Sequence, residues 1–259
     1  MEPYNIQPPD PVWKEIDAKI NPEWRTSTHI FAGDELLRPT PILSILLCTV
    51  ENRADIFAVL HAHVLQQADG KPVEVLVACD AKQISIGKKR QNLLAQARGD
   101  YVCFVDDDDW VCDTYIDDIL TALESKPDCV GFKITCTTNG RNEESAIASI
   151  RYPRWIENQD GFAHCRSPYH KTPILRSIAL KVGFPDMRYG EDKIYSSGVT
   201  KLVDTEKFID KVLYFYRYRN NEPFGEKYGI RHIPGTSPAT PRIYKKGVNY
   251  AHVRRPFHR

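Results

Sequence analysis

The sequence predicts an α/β fold built on a doubly wound, mostly parallel sheet, and three observations carry the prediction. Residues 42–48, 73–79 and 101–105 are apolar at nearly every position, as strands are when both faces of a sheet are covered. Stretches with helical spacing of apolar residues, 53–67 and 88–97, separate them, which is the alternation of βαβ units. The composition, 42% hydrophobic and 27% charged over 259 residues, is that of an ordinary folded chain and excludes disorder as its dominant state.

Along the chain, residues 1–40 carry Pro3, Pro8, Pro9, Pro11, Pro22 and Pro39 with Trp13 and Trp24. They read as an arm packing on the core, with a short helix over 12–20 where Val12, Ile16 and Ile20 share a face. In 53–67 the helical face is Ile56, Val59, Leu60 and Val64. After the third apolar run, 115–124 is expected as helix, 129–137 as strand and 139–142 as turn and loop. Residues 172–181 are expected as a helix that tolerates Pro173 in its first turn, and 212–218 as a late strand. The expected division is an arm at 1–40, a core at 41–218 with halves at 41–110 and 111–218, and a basic, proline-containing tail at 219–259.

Several classes are excluded. The longest nearly apolar run, 41–50, is far short of the roughly 20 residues that span a bilayer, so no transmembrane segment is expected. The opening MEPYNIQPPD has neither the basic nor the apolar region of a secretory signal. Seven cysteines without a CxxC pair read as buried thiols of a reducing, cytoplasmic compartment, not as a zinc ribbon or disulfide framework. The net charge of +1 hides an asymmetry: residues 211–259 hold eleven Lys/Arg against two Asp/Glu, a local charge of +9, and the first 210 residues carry −8. The two parts are expected to have different partners.

The most informative motif is Asp106-Asp107-Asp108-Asp109-Trp110, directly after the apolar run YVCFV. Four adjacent carboxylates stay ionised in a folded protein only beside donors or a cation, and the carboxyl edge of an open α/β sheet is where ligands bind. Hard oxygen ligands suit Mg²⁺ or Mn²⁺, which complete their octahedron with water and substrate phosphate. Helix capping accounts for Asp113 and for Asp109 but not for four in a row. A calcium EF-hand loop is excluded by the missing glycine and glutamate, and a two-metal nuclease needs bridging carboxylates that are not evident. Tyr189-Gly190-Glu191-Asp192 places a carboxylate pair at a loop-to-helix junction, where one member serves as general base and the other is held by hydrogen bonds. Gly87-Lys88-Lys89-Arg90-Gln91-Asn92 opens a helix with basic residues, an arrangement apt for a nucleotide diphosphate, although GxxxxGK[ST] is absent.

Taken in this order, ILLCTVENR (45–53), VLVACD (75–80), GKKRQNLLAQARGDY (87–101), VCFVDDDDW (102–110) and YGED (189–192) resemble glycosyltransferase family 2, over residues 41 to about 218. The resemblance implies a GT-A fold, a Rossmann-like, mostly parallel sheet flanked by helices, and a metal-dependent inverting glycosyltransferase of hexosyltransferase type. It implies nucleotide-sugar contacts from Thr49, Glu51, Asp80, Arg90, Asp106 and Asp107, with Asp80 meeting the base, usually uracil. It further implies Mn²⁺ or Mg²⁺ on Asp108 and Asp106, and catalysis by Asp192 with Glu191. Trp110, His164, His170 and Lys171 fall where the acceptor wall begins. The chain departs from the family pattern at Gln91, at Ser196-Ser197-Gly198 and at Arg219-Asn220-Asn221, so a third metal ligand is unassigned, with His232 only a downstream candidate.

The acceptor is not specified by the family, since one fold serves many chemistries. The basic tail interleaved with Tyr228, Tyr244 and Tyr250 favours a polyanion, and a hydroxymethylated base in DNA fits. The alternatives are a lipid-linked or cell-surface glycan reached by peripheral membrane contact and a non-catalytic nucleotide-sugar or nucleic-acid binding module.

Overall fold

The computed structural model describes residues 25–30 and 40–218; the helix expected at 12–20 and the tail at 219–259 lie outside them. Among the described residues eleven strands join in one sheet. Its centre is β2 (Leu43–Val50), which lies parallel to β3 (Val73–Asp80) on one side and β4 (Tyr101–Asp106) on the other. Helices α1 (Ala54–Ala68) and α2 (Ile86–Gln96) are the crossovers. β1 (Arg25–Ile30) adds to the outer edge of β3 antiparallel.

Alternation along β2 shows why these runs are apolar throughout. Leu43, Ile45 and Leu47 enter one core with Phe57, Leu60 and Val64 of α1 and Ile116 and Ile119 of α3 (Tyr115–Leu123). Leu46 and Cys48 enter a second core with Leu93 and Leu94 of α2 and Tyr195 and Val199 of α5 (Glu191–Val199). Successive side chains on a strand point to opposite faces, so both faces of the sheet are covered.

The second half is less parallel than the sequence predicts, and the whole sheet is mixed. β6 (Cys129–Thr138) turns through Asn139 and Gly140, both at positive φ, into antiparallel β7 (Arg141–Ala148), the backbone that a tight hairpin requires. β8 (Ile156–Gln159) and β9 (Phe162–Arg166) form a further hairpin, with β9 parallel to β7. Instead of a helix over 172–181, Ile174–Leu175 form the short strand β10, antiparallel to both β4 and β6, and helix α4 spans Arg176–Val182. Thr172 precedes a proline and is biased to extended backbone, and Ile174 is fully buried in the gap between the two strands. The late strand β11 (Glu206–Tyr218) starts earlier than its apolar core, runs parallel to β6 and pairs with β5 (Trp110–Val111). No helix among the described residues is long and apolar enough to cross a membrane. The seven cysteines, all among the described residues, form no disulfide.

One close approach ties the two halves together. Ser85 caps α2 by accepting from the Lys88 amide and donates to Asp186, while the Gly87 amide donates to the Met187 carbonyl. A Cβ on Gly87 would lie 1.9 Å from the Pro185 carbonyl oxygen. Gly87→Ala is therefore expected to destabilise the protein by about 1–3 kcal/mol, the range of forced overpacking, read as a lower urea midpoint at unchanged m-value.

Candidate active site

The carboxyl ends of β2, β3 and β4 bring Thr49, Asp80 and Asp106 to one edge of the sheet, and the turn after β4, closed by the Asp109 amide on the Asp106 carbonyl at 3.1 Å, sets the four carboxylates there. Each faces different partners. Asp106 accepts from Arg90 Nη2 at 2.8 Å, from Lys171 Nζ at 2.9 Å and lies 3.4 Å from His170 Nε2. Asp107 is buried and accepts from Thr49 Oγ1 at 2.9 Å and Arg53 Nη1 at 2.6 Å. Asp109, also buried, takes Lys171 Nζ, the Tyr214 hydroxyl at 2.8 Å and the Arg217 amide at 2.8 Å. Asp108 is partly exposed, its side chain at 24% like that of Asp106, and lies 3.5 Å from Arg53 Nη1.

The cations explain why such a turn folds. Burial works to raise the Asp106 pKa, but Lys171, Arg90 and His170 together carry it well below the usual carboxylate range. Asp107 goes the other way, pushed to about 6 by burial and by the charge of Asp108 against the pull of Arg53 and Thr49. Burial, with Asp108 and Asp106, likewise brings Asp109 to about 6 despite Lys171. Lys171 and Asp109 both shift upward: Asp106 and then Asp109 hold the lysine's charge, while burial outweighs the lysine at Asp109, so Asp107 and Asp109 protonate before Asp106 on acidification. His170 is pushed down to about 3 by burial and the Arg90 charge, so it is a neutral imidazole here.

Arg90 joins this corner to the second motif. Its Nη1 donates to Glu191 Oε1 at 2.5 Å while Nη2 serves Asp106, so the first turn of α5 is held against the donor-side carboxylates. Glu191 is buried in that pair, whereas Asp192 is partly exposed, with Arg166 Nη2 3.7 Å away. Burial raises the Asp192 pKa and His170, Arg166 and Arg90 lower it by more, leaving it below the ordinary value.

Other expected residues are placed as follows. Asp80 is buried and accepts from Lys89 Nζ and, at 3.1 Å, from the Ile84 amide; Lys89 also donates to the Thr49 carbonyl at 2.7 Å. Glu51 is exposed at the start of a 3₁₀ turn, Glu51–Arg53. Of the four residues assigned to the acceptor wall, Trp110 is buried with its indole stacked on His63 at 4.5 Å, and Lys171 is buried among the aspartates and the rings of Tyr214 and Tyr216. His170 is buried beside Asp106, and His164 pairs with Glu144 at 3.3 Å. The basic start of α2 is not an open anion site: its Gly87 and Lys88 amides are taken, and Lys89 and Arg90 point inward. Tyr214 and Arg166 belong to the site although no local motif marks them, and Arg53 closes the ILLCTVENR run without being singled out there.

Among the described residues no group of three or more His, Cys, Asp and Glu is set to hold a metal ion. A protein-only cage therefore does not fit. An ion shared with a substrate does fit, because Mg²⁺ commonly rests on one or two carboxylates plus phosphates and Asp108 offers a hard, partly exposed carboxylate at the sheet's carboxyl edge.

Comparison with known proteins bears on the family and the fold. Residues 80–177 match the family described as Glycosyl transferase family 2. Residues 1–349 of S. aureus TarS in complex with UDP superpose with a TM-score of 0.51 at 15% identity, covering 68% of this chain and 60% of that one. The same protein in complex with UDP-GlcNAc gives 0.49 at 15% identity over 70% and 59%. The chain thus spans about 60% of the TarS chains it matches, and the likeness to the UDP complex shows a GT-A-like α/β fold. No curated protein matches.

Proposed function

We propose that this chain, whose residues 80–177 match glycosyl transferase family 2, is a nucleotide-sugar-dependent glycosyltransferase that moves a sugar from a UDP-linked donor to a hydroxyl of a nucleic acid with inversion at the anomeric carbon. The observation that carries this reading is the Arg90 bridge from Asp106 to Glu191, the chain neighbour of the partly exposed Asp192. Such a pairing supplies a base on one side of the sugar and a diphosphate site on the other.

In the proposed step Asp192 takes the proton of the acceptor hydroxyl. The acceptor oxygen forms a bond to the anomeric carbon as the bond from that carbon to the diphosphate oxygen breaks, and the electron pair leaves with the diphosphate. Asp108, with Asp106 beside it, would hold Mg²⁺ or Mn²⁺, which supplies Lewis-acid stabilisation of the leaving diphosphate. Thr49, Glu51 and Asp80 flank the nucleoside position. Lys89 fixes the orientation of the Asp80 carboxylate, whose oxygens have lone pairs left for the base. UDP is favoured as the nucleotide because TarS, of similar fold, has been crystallised with it.

The acceptor side favours a polyanion. Lys82, Lys88, Arg188 and Lys193 and the 90% exposed Tyr189 lie exposed in the segments at the starts of α2 and α5, and Arg188 reaches the Lys82 and Gln83 carbonyls at 3.3 and 3.2 Å, which joins two of these segments. This patch sits on a body whose first 210 residues carry −8. Cations of this kind neutralise phosphates.

Thermal shift with UDP-, GDP- and dTDP-sugars, with and without Mn²⁺, tests the donor assignment. A ligand at 100 times its Kd adds about 2.7 kcal/mol of stability, and the UDP-sugar is expected to give the largest shift, with its Mn²⁺-dependent part lost in Asp108→Asn. No shift with any nucleotide-sugar would overturn the reading.

A further inference from the structure

Beside Asp192 lies a stack of three side chains that the proposed mechanism does not use. Arg166, at the end of β9, has its guanidinium 3.9 Å from the Tyr169 ring centroid and 5.1 Å from that of Trp155, and its Nη2 is the atom 3.7 Å from Asp192. Trp155 directly precedes β8, whose register sets Ile156 opposite Cys165. The next pair is Trp155 with Arg166. His164, two residues back on β9 and so on the same face, meets the indole at 5.1 Å. Both neighbours of the indole come from β9, yet Trp155 remains 49% exposed, which leaves its outer face to solvent.

The stack is rigidly related to the base. Ser167 Oγ lies 3.0 Å from Ser196 Oγ, which also donates to the Pro168 carbonyl at 2.8 Å. The segment after β9 is therefore pinned to α5, the helix whose first turn carries Asp192.

We infer that Trp155, backed by Arg166, is the stacking platform on which the acceptor's nucleobase lies while its hydroxyl faces Asp192. The inference rests on the proposed glycosyl transfer to nucleic acid and names the part of the acceptor that is recognised. A large exposed indole is a surface for a flat or saturated ring, and the cation decides between them. Guanidinium on the inner face draws the ring's negative lobe toward itself. The outer face is then poorer for the polarised C–H groups of a sugar and remains good for dispersion stacking with a nucleobase, which is sequence-tolerant. Reaching such a platform requires an unpaired or extruded base.

The test uses the full chain with Mn²⁺, a UDP-sugar, a single-stranded oligonucleotide bearing one 5-hydroxymethylpyrimidine, and a neutral oligosaccharide as the competing acceptor. Trp155→Ala is expected to raise KM for the oligonucleotide about tenfold or more, with kcat changed by much less and UDP affinity unaltered. Trp155→Phe, which keeps a ring, is expected to recover most of the loss. Quenching of tryptophan emission by the unmodified oligonucleotide, expected in the parent, should shrink in Trp155→Phe. An unchanged KM in Trp155→Ala overturns the platform. Transfer to the oligosaccharide and not to the oligonucleotide overturns the nucleobase assignment while leaving glycosyl transfer intact. Failure of the parent to bind any nucleotide-sugar removes the underlying reading, and the platform with it.

Discussion

Asp192→Asn is expected to lower kcat by about 10²–10⁴, the usual worth of a positioned general base, with UDP affinity retained. The substitution keeps the size of the side chain and removes only its capacity to hold a proton. It loses the 3.7 Å contact with Arg166, a partly exposed ion pair worth about 0–1 kcal/mol, so folding should be little affected. Asp192 sits below the ordinary carboxylate pKa because His170, Arg166 and Arg90 outweigh its burial. It is therefore ionised throughout the neutral range, and the acidic limb of kcat/KM is expected to fall below about 3.9, the unperturbed aspartate value. A rate in the asparagine variant equal to that of the parent would exclude Asp192 as the base, and nucleotide binding measured in the same samples separates that result from loss of the fold.

Lys171→Met is expected to cost about 3–5 kcal/mol, because removing one partner of a buried ion pair leaves charge uncompensated. Methionine is of similar length, and the rings of Tyr214 and Tyr216 that face the ammonium accept a thioether, so the loss is electrostatic in origin. Such a loss is a large part of the 5–15 kcal/mol that holds a domain folded. The sign of its pH dependence follows from the carboxylates left behind. Asp109 already lies at about 6 in the folded protein, above its unfolded value, because burial outweighs Lys171, and without the lysine it rises further. The folded state then binds more protons than the unfolded one, so stability increases as pH falls from the folded pKa towards about 3.9. Chemical denaturation of Lys171→Met at pH 7 and pH 5 should show partial recovery at the lower pH, and adding Asp109→Asn should recover stability at pH 7. A variant equally unstable at both pH values and in both backgrounds would place the loss in packing instead.

Parts of this arrangement can be read from the chain and parts cannot, for physical reasons. Apolar runs bracketed by amphipathic helices locate β2, β3 and β4 because a strand buried on both faces has no polar positions to spare. The four aspartates announce a site because no ordinary cap needs so many charges. What answers them is not legible. Lys171 and Asp109 are 62 residues apart, Arg53 and Asp107 54, Tyr214 and Asp109 105, and the motif that ends at Arg53 and the strand that holds Tyr214 do not say which aspartate each will meet. The hairpins at 141–166 are missed because Arg141, Glu143 and Ser145 alternate with half-buried neighbours at an exposed edge, where polar residues are normal. Pro173 misleads in the other direction: proline is compatible with a helix start, but the residue that follows it, Ile174, is claimed by two strands. Trp155 carries no signal by itself; its position over Arg166 follows only from the β8–β9 register.

Arg90 divides its two terminal nitrogens between a carboxylate of the donor corner and one that precedes the base. A single guanidinium cannot move towards one without slackening its hold on the other. In the proposed reaction the two substrates would thus be linked through one side chain, and linkage is symmetrical at equilibrium. By whatever factor the nucleotide-sugar alters the protein's grip on its acceptor, the acceptor must alter the grip on the nucleotide-sugar by the same factor.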